Sequence, residues 1–215
     1  NLVEFLVALM EKHEVILVSS GAVAAGYSIL KLDKKLLHNR QAIAAVGQPQ
    51  LMATYNKKLE KFGKSGAQLL LTADDFDSRK RCAYAKCTID TLLQNGILPI
   101  INENDAVSVT ALMFTDNDEL SGLIASMMNA QALIILSNID GIYNGVPSDP
   151  SASVIREIDR GKDLSNYIQT SKSSFGRGGM LTKTNIARKV ADEGITVIIA
   201  NGKRDDILTN LINYP

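Results

Sequence analysis

An α/β fold, with a mostly parallel sheet covered by helices on both faces, is what the order of elements in this chain predicts. Short, nearly continuous apolar runs recur at residues 14–18, 67–71, 97–101, 132–136 and 195–200. Stretches with helical apolar spacing alternate with them. Strands that are apolar on both faces belong to buried parallel sheets, whose crossover connections are helices.

Each element has its own signal. Leu2, Val3, Leu6, Leu9 and Met10 follow a helical period from the second residue on. The chain is therefore expected to open inside a helix, with a strand missing upstream. Residues 14–18 (EVILV) read as a buried strand, broken by Ser19-Ser20-Gly21 and followed by the small residues Ala22, Ala24, Ala25 and Gly26. A helix is predicted over much of 51–62, then a strand at 67–71 (AQLLL). A long helix over 74–93 has Asp74 or Thr72 available as its cap. The strand at 97–101 (ILPII) contains Pro99. Proline has no N–H to give to a ladder, so a sheet edge or a bulge is expected there. Then come a helix over 118–128, a strand at 132–136 ended by polar residues and the Asp140-Gly141 turn, a helix over 183–192 and a strand at 195–200.

Composition narrows the function classes. The 215 residues suit one domain, or a domain with a small appendage. Twenty-three basic residues cancel twenty-three acidic ones, which argues against a general nucleic-acid surface. No apolar run approaches the length of a membrane span, and no signal peptide is visible. Cys82 and Cys87 are the two cysteines, and reduced thiols in a cytoplasmic protein are expected. His13 and His38 have no partner at ligand spacing, so no protein metal site is predicted. The basic run Arg79-Lys80-Arg81 reads as a solvated helix face.

The chemistry is most legible at Gly176-Arg177-Gly178-Gly179-Met180-Leu181-Thr182-Lys183. Glycines let a polyphosphate approach the backbone closely. The first N–H groups of the helix that follows have no intrahelical partner, and the dipole there favours negative charge. Lys183, one turn in, adds a full positive charge. That charge opposes the helix dipole, so removing it is expected to leave folding intact or slightly improved. Two familiar phosphate loops fail. Gly63-Lys64-Ser65 has the tail of a P-loop, but Lys58 stands where its first glycine belongs. A G-x-G-x-x-G pattern starting at Gly176 meets Leu181 at its last glycine and follows a polar stretch instead of a strand.

Three polar clusters follow strand ends: Ser19-Ser20-Gly21, Asn102-Glu103-Asn104-Asp105 and Ser137-Asn138. In open parallel sheets, ligands bind beyond the carboxyl ends of the strands. Asp116-Asn117-Asp118 opens a predicted helix, where such residues also serve as caps.

Together these pieces resemble the amino acid kinase family, and within it the branch that phosphorylates glutamate. The matching stretches, in order, begin with Val18-Ser19-Ser20-Gly21-Ala22-Val23-Ala24-Ala25-Gly26, Val46-Gly47-Gln48, and Leu71-Thr72 with Asp74. Ile101-Asn102-Glu103-Asn104-Asp105-Ala106-Val107 and Asp116-Asn117-Asp118-Glu119-Leu120-Ser121 come next. Ser137-Asn138-Ile139-Asp140-Gly141-Ile142-Tyr143 and the loop at 176–183 complete the set. The resemblance implies a single domain over 1–215: a three-layer α/β/α sandwich around an eight-stranded, mainly parallel sheet. It implies transfer of the γ-phosphoryl of MgATP to the side-chain carboxylate of L-glutamate, the first step of proline synthesis. Ser20, Asp105 and Asn117 would bind glutamate. Ser137 and Asn138 would lie in the nucleotide site with Arg177, Gly178, Gly179, Met180, Leu181, Thr182 and Lys183. Lys183 would stabilise the transferring phosphoryl, and Asp118 would position phosphate-binding lysines. ATP and Mg²⁺ are the implied cofactors, with feedback by proline, a homo-oligomer, and no nucleic-acid or membrane partner. The pattern departs at Asn138, where aspartate is common, at Thr115, in place of a glycine, and in the absence of an opening K-x-G-S strand. A C-terminal RNA-binding-like domain, found in many bacterial members, is not expected. Two alternatives stand beside this reading: another carboxylate kinase, such as one acting on acetylglutamate, and a non-catalytic nucleotide-binding regulator on the same fold.

A carboxylate of pKa about 4.3 is already ionised at neutral pH and needs no general base. The obstacle is repulsion between an anion and a polyanion, so alignment and charge compensation should carry the catalysis. An anionic Asp105 suits the free α-ammonium of glutamate.

Overall fold

A computed structural model describes residues 2–108, 117–145, 149–159 and 180–213. The chain divides into two compact units, Asn1–Asn117 and Asp118–Pro215. Every named strand pair is parallel, as both-face apolar strands require. Among the described residues, no helix is long and apolar enough to cross a membrane.

In the first unit, helix α1 (Leu2–Met10) precedes strand β1 (Leu17–Val18), helix α2 (Ala22–Tyr27) and the long helix α3 (Leu37–Leu59). Strand β2 (Gly66–Leu71), helices α4 (Ala73–Asp77) and α5 (Arg79–Gln94) and strand β3 (Leu98–Glu103) follow. The sheet order is β1-β3-β2. Val3 and Leu6 of α1, Met52 and Leu59 of α3, and Leu98 and Ile100 of β3 form one buried cluster. Burying each such side chain stabilises by about 1.5–3 kcal/mol.

Pro99 is not at an edge, because β3 is the central strand of this sheet. Its missing N–H costs nothing there for a local reason. Leu98 donates to Ser65 O on the β2 side, so Pro99 turns to the β1 side, and β1 pairs only from Leu17↔Ile100 onward. The helix expected over 74–93 is two helices. Ser78 takes an extended conformation (φ −103°, ψ 110°), and its hydroxyl caps α5 by accepting from Arg81 N. Thr72 is the cap of α4: its N–H and its hydroxyl both donate to Asp75, at 2.6 and 2.9 Å. The helix expected over 51–62 begins instead at Leu37, and the strand expected from residue 14 is ordered as a ladder only at Leu17–Val18.

The run of small residues after β1 is a helix, and two glycines explain why. A Cβ on Gly47 of α3 would lie 1.8 Å from the Ala22 carbonyl oxygen, and one on Gly26 of α2 would lie 1.8 Å from that of Ile43. The two helices touch backbone to backbone. This crossing fixes the start of α2, and with it the Ser19-Ser20-Gly21 turn, where Gly21 takes φ +108°. Gly47→Ala is expected to force the helices apart and lower stability by about 1–3 kcal/mol. Denaturant unfolding measures it, and an unchanged midpoint would mean the crossing is not tight.

In the second unit, helix α6 starts at the boundary (Asn117–Met128) and leads to strand β4 (Ala132–Ser137). Helix α7 (Met180–Asp192), strand β5 (Thr196–Asn201) and helix α8 (Asp205–Ile212) complete the described elements. β4 and β5 pair from Ala132↔Thr196 to Ser137↔Asn201. Ala125, Val190 and Ile195 form its buried cluster, with Ile186 and Leu133 against them. A Cβ on Gly122 would lie 2.9 Å from Ile186 Cγ2, so α7 packs closely on α6. The sequence reading did not anticipate α8, whose eight residues are short for a periodicity argument.

Candidate functional site

The polar group in the first unit is built where β1 and β3 end. The polar residues there are buried: Ser19, just after β1, is 6% exposed, and Asn102, next to last in the central strand β3, is 2% exposed. A buried polar group must be hydrogen-bonded, and these are. Ser19 N–H donates to Ile101 O at 2.8 Å. The Ser19 hydroxyl lies 2.8 Å from the Tyr55 hydroxyl. Asn117 Nδ2 donates to the Ser19 carbonyl at 2.6 Å and to Asn102 Oδ1 at 3.3 Å. Asn102 Oδ1 also accepts from Glu103 N–H at 2.9 Å, and Asn102 Nδ2 donates to Gln48 Oε1 at 3.0 Å. Asn117 is thus joined to the residue beside Ser20, which is itself exposed at the turn.

Asp105 sits in the turn after β3. That turn is held by Ser108, whose N–H and hydroxyl both donate to Asn104 O at 3.0 Å. Gln41 Nε2 of α3 in turn donates to Ser108 O at 3.1 Å. Asp105 lines a cavity of about 260 Å³ together with Gln48, Pro49, Gln68, Leu70 and Glu103. Burial raises its pKa above the usual aspartate value, opposed by the positive charge of Arg40. Among the described residues no hydrogen bond joins Asp105 to Ser20 or Asn117.

In the second unit the structure brings Asp118 and Lys183 together as an ion pair. Their side chains are 16% and 17% exposed. The local cause is the α6–α7 packing: Asp118 stands one turn before Gly122, and Lys183 one turn before Ile186. The expectation that Lys183 is free to be removed without loss of stability is overturned by this pair. Its charge is compensated by Asp118, and removing it would take an ion-pair partner from a mostly buried carboxylate.

Ser137 ends β4, with its hydroxyl 3.5 Å from Asn138 Oδ1, and Asn138 is exposed. The turn after them is tied to the end of β5. Asn201 Nδ2 donates to Asp140 Oδ1 at 2.8 Å, and Arg204 donates to Asp140 Oδ2 at 3.0 Å while also pairing with Asp206. Arg177, Gly178, Gly179 and Thr115 lie outside the described residues. Met180 and Leu181 begin α7, and Thr182 and Lys183 follow in its first turn. Among the described residues, no group of three or more His, Cys, Asp or Glu side chains forms a metal cluster.

Sequence reasoning missed Tyr55 and the clamp of Asn201 and Arg204 on Asp140. It quoted Gln48 only as part of a matching stretch. Polar residues inside an apolar strand or helix were the available signal for Gln48 and Asn102. Tyr55 had none.

Comparison with known proteins places this geometry. A model described as "Amino acid kinase family" matches residues 1–201. Glutamate 5-kinase of Bacteroides thetaiotaomicron is 63% identical over 204 residues, covering 94% of this chain and 57% of that protein. Glutamate 5-kinase of Chlorobaculum tepidum is 51% identical over 215 residues, covering 98% of this chain and 59% of that protein. The chain thus spans under two thirds of the length of these relatives. Among solved structures, the T. acidophilum isopentenyl phosphate kinase product complex matches with a TM-score of 0.60 at 14% identity, covering 93% of this chain and 81% of that one. That likeness is one of fold.

Proposed function

The chain belongs to the amino acid kinase family, and on that premise we propose that it carries the phosphorylation of the side-chain carboxylate of L-glutamate by ATP. The product would be L-glutamyl 5-phosphate. The observation that carries this reading is the identity of 63% and 51% to two glutamate 5-kinases over nearly the whole chain. Both compact units are read as parts of one amino acid kinase domain.

Roles follow from chemistry. Asp105 is a carboxylate held in a partly buried cavity, suited to a free α-ammonium. Asn117 and Ser20 add polar groups in the same unit, at the ends of β3 and β1. Lys183 carries a compensated positive charge in the first turn of α7, where the unpaired N–H groups also favour phosphate. In the transfer, one oxygen of the glutamate carboxylate forms a bond to the γ-phosphorus as the bond to the β–γ bridging oxygen breaks, and ADP leaves. Charge spreads over the equatorial oxygens during this step, and Lys183 stabilises it there. Asp118 orients Lys183 through a charge-assisted hydrogen bond. Ser137 and Asn138, at the carboxyl end of β4, are assigned to the nucleotide with 177–182.

Magnesium binds nucleotides through phosphate oxygens and one or two carboxylates, and Asp118 beside Lys183 fits that donor chemistry. When bound, the ion would neutralise phosphate charge. Proline feedback, homo-oligomer formation and a cytoplasmic location rest on the family resemblance alone.

Trapping with hydroxylamine tests the substrate. The complete protein with MgATP should yield a hydroxamate from L-glutamate and far less from N-acetylglutamate or L-aspartate. Equal yield from acetylglutamate would move the assignment to the other carboxylate kinases, because an acetylated amine has no charge for Asp105 to meet. Nucleotide binding with no hydroxamate from any acid would favour the non-catalytic regulator.

A further inference from the structure

The hydrogen-bond chain from Ser19 to Gln48 has a direction that the backbone imposes. A carbonyl can only accept, so the group that meets Ser19 O must be the Asn117 amide nitrogen, at 2.6 Å. A backbone N–H can only donate, so the Asn102 atom that meets Glu103 N–H must be Oδ1, at 2.9 Å. That oxygen also receives Asn117 Nδ2 at 3.3 Å. Asn102 is left with its amide nitrogen pointing the other way, and Gln48 Oε1 accepts from it at 3.0 Å. Every amide in the relay is thereby fixed the right way round. At the ligand end, these bonds use the Asn117 nitrogen and not its Oδ1, an acceptor of the kind a substrate ammonium requires.

Gln48 is the far end, and it sits there at a cost. It is 7% exposed, and its buried Nε2 has no hydrogen-bond partner among the described residues. A buried unpaired donor is destabilising, and an apolar side chain of similar size would avoid the penalty. What the glutamine supplies is the oxygen that holds Asn102, which at 2% exposure has no water to replace it. Gln48 also lines the same cavity as Asp105.

We propose that Gln48 is a positioning residue for the amino-acid substrate: through Asn102 it holds the Asn117 side chain so that Oδ1 is presented to the α-ammonium. The inference rests on the reading of this site as a glutamate site. If the parent protein forms no acyl phosphate with glutamate, that reading fails first and separately.

A double-mutant cycle on the complete protein tests the relay. Gln48→Met keeps length and shape but removes the acceptor. It should raise the KM for glutamate roughly 5- to 30-fold, with kcat and the KM for ATP within about twofold of the parent. Asn117→Ala should raise the glutamate KM on its own. Adding Gln48→Met to Asn117→Ala should then change it by less than about twofold, because the residue being positioned is gone. A purely structural role for Gln48 would instead weaken both substrates or multiply with Asn117→Ala, and either result overturns the proposal. Gln48→Glu, which retains an oxygen acceptor at the same reach, guards against a folding defect in the methionine variant. Its glutamate KM should lie closer to the parent than that of Gln48→Met, and an equal or larger loss would also overturn the proposal.

Discussion

Lys183→Ala is expected to lower kcat by about 10²–10³-fold while leaving the KM for glutamate nearly unchanged. An interaction made mainly with the phosphoryl group in flight is lost in kcat and not in ground-state binding. The ion pair with Asp118 adds a second consequence. Removing the lysine takes the ion-pair partner from a mostly buried carboxylate, so the variant should also lose on the order of 1–3 kcal/mol of stability. Steady-state kinetics and denaturant unfolding on one preparation separate the two effects. The double variant Lys183→Ala with Asp118→Ala should recover much of the stability and none of the rate. Lys183→Arg should rescue the rate only in part, because the guanidinium is larger and planar where the ammonium is a compact charge. A near-normal kcat in Lys183→Ala would assign the lysine to the packing of α7 on α6 alone.

Asp105→Asn should raise the KM for glutamate by roughly 30- to 1000-fold and leave the KM for ATP almost unchanged. Losing the charge partner of a desolvated ammonium costs about 2–4 kcal/mol. The raised pKa of Asp105 sets two pH dependences of opposite sense. Burial makes its ionised form unfavourable in the folded state, so the folded protein binds this proton more tightly than the unfolded chain does. Its contribution to stability is therefore full below the unfolded-chain value of 3.8 and is lost as pH rises through the higher folded-state value. Asp105→Asn removes that loss, so at neutral pH the variant should be at least as stable as the parent. Substrate binding runs the other way, because only the ionised carboxylate attracts an ammonium. The glutamate KM of the parent should rise as pH falls through the raised pKa, and in Asp105→Asn that dependence should vanish. An unchanged glutamate KM in the variant would leave Asp105 as a residue of the turn after β3.

The parallel α/β character was legible because apolar runs at strand length alternate with helical spacing, and both signals are local. Pro99 shows the limit of that reasoning. A proline demands a site without a ladder partner, and an edge is the usual one. Here the partner strand simply starts one residue later, and strand length is set by tertiary packing. Helix α2 was illegible for a related reason. Its small residues carry no apolar stripe, and what makes them helical is the Gly26–Gly47 contact with a segment some twenty residues away in sequence. The one-residue break at Ser78 was hidden because serine is tolerated within a helix as well as at a cap.

At the site, the residue types announced the chemistry better than the connections. Asp105, Asn117, Asp118 and Lys183 stood out as charged or amide groups at element ends. That Asp118 holds Lys183, and that Asn117 is turned toward Ser19 and Asn102, depends on how α6 is packed, which no spacing rule gives. Gln48 carried only a weak signal, because a glutamine in a helix reads as surface until its neighbours are known to bury it.

The most direct test follows the oxygen atoms. L-glutamate carrying ¹⁸O in both side-chain carboxylate positions is turned over by the complete protein with unlabelled MgATP and trapped with hydroxylamine. Attack of the carboxylate on the γ-phosphorus leaves one labelled oxygen bridging carbon and phosphorus. Hydroxylamine then adds to the carbonyl carbon and releases phosphate through that bridging oxygen. The expected result is inorganic phosphate containing one ¹⁸O atom, in amount equal to the hydroxamate formed. Phosphate without label would mean that water, and not the glutamate carboxylate, receives the phosphoryl group, and it would contradict the assignment of this chain as a carboxylate kinase.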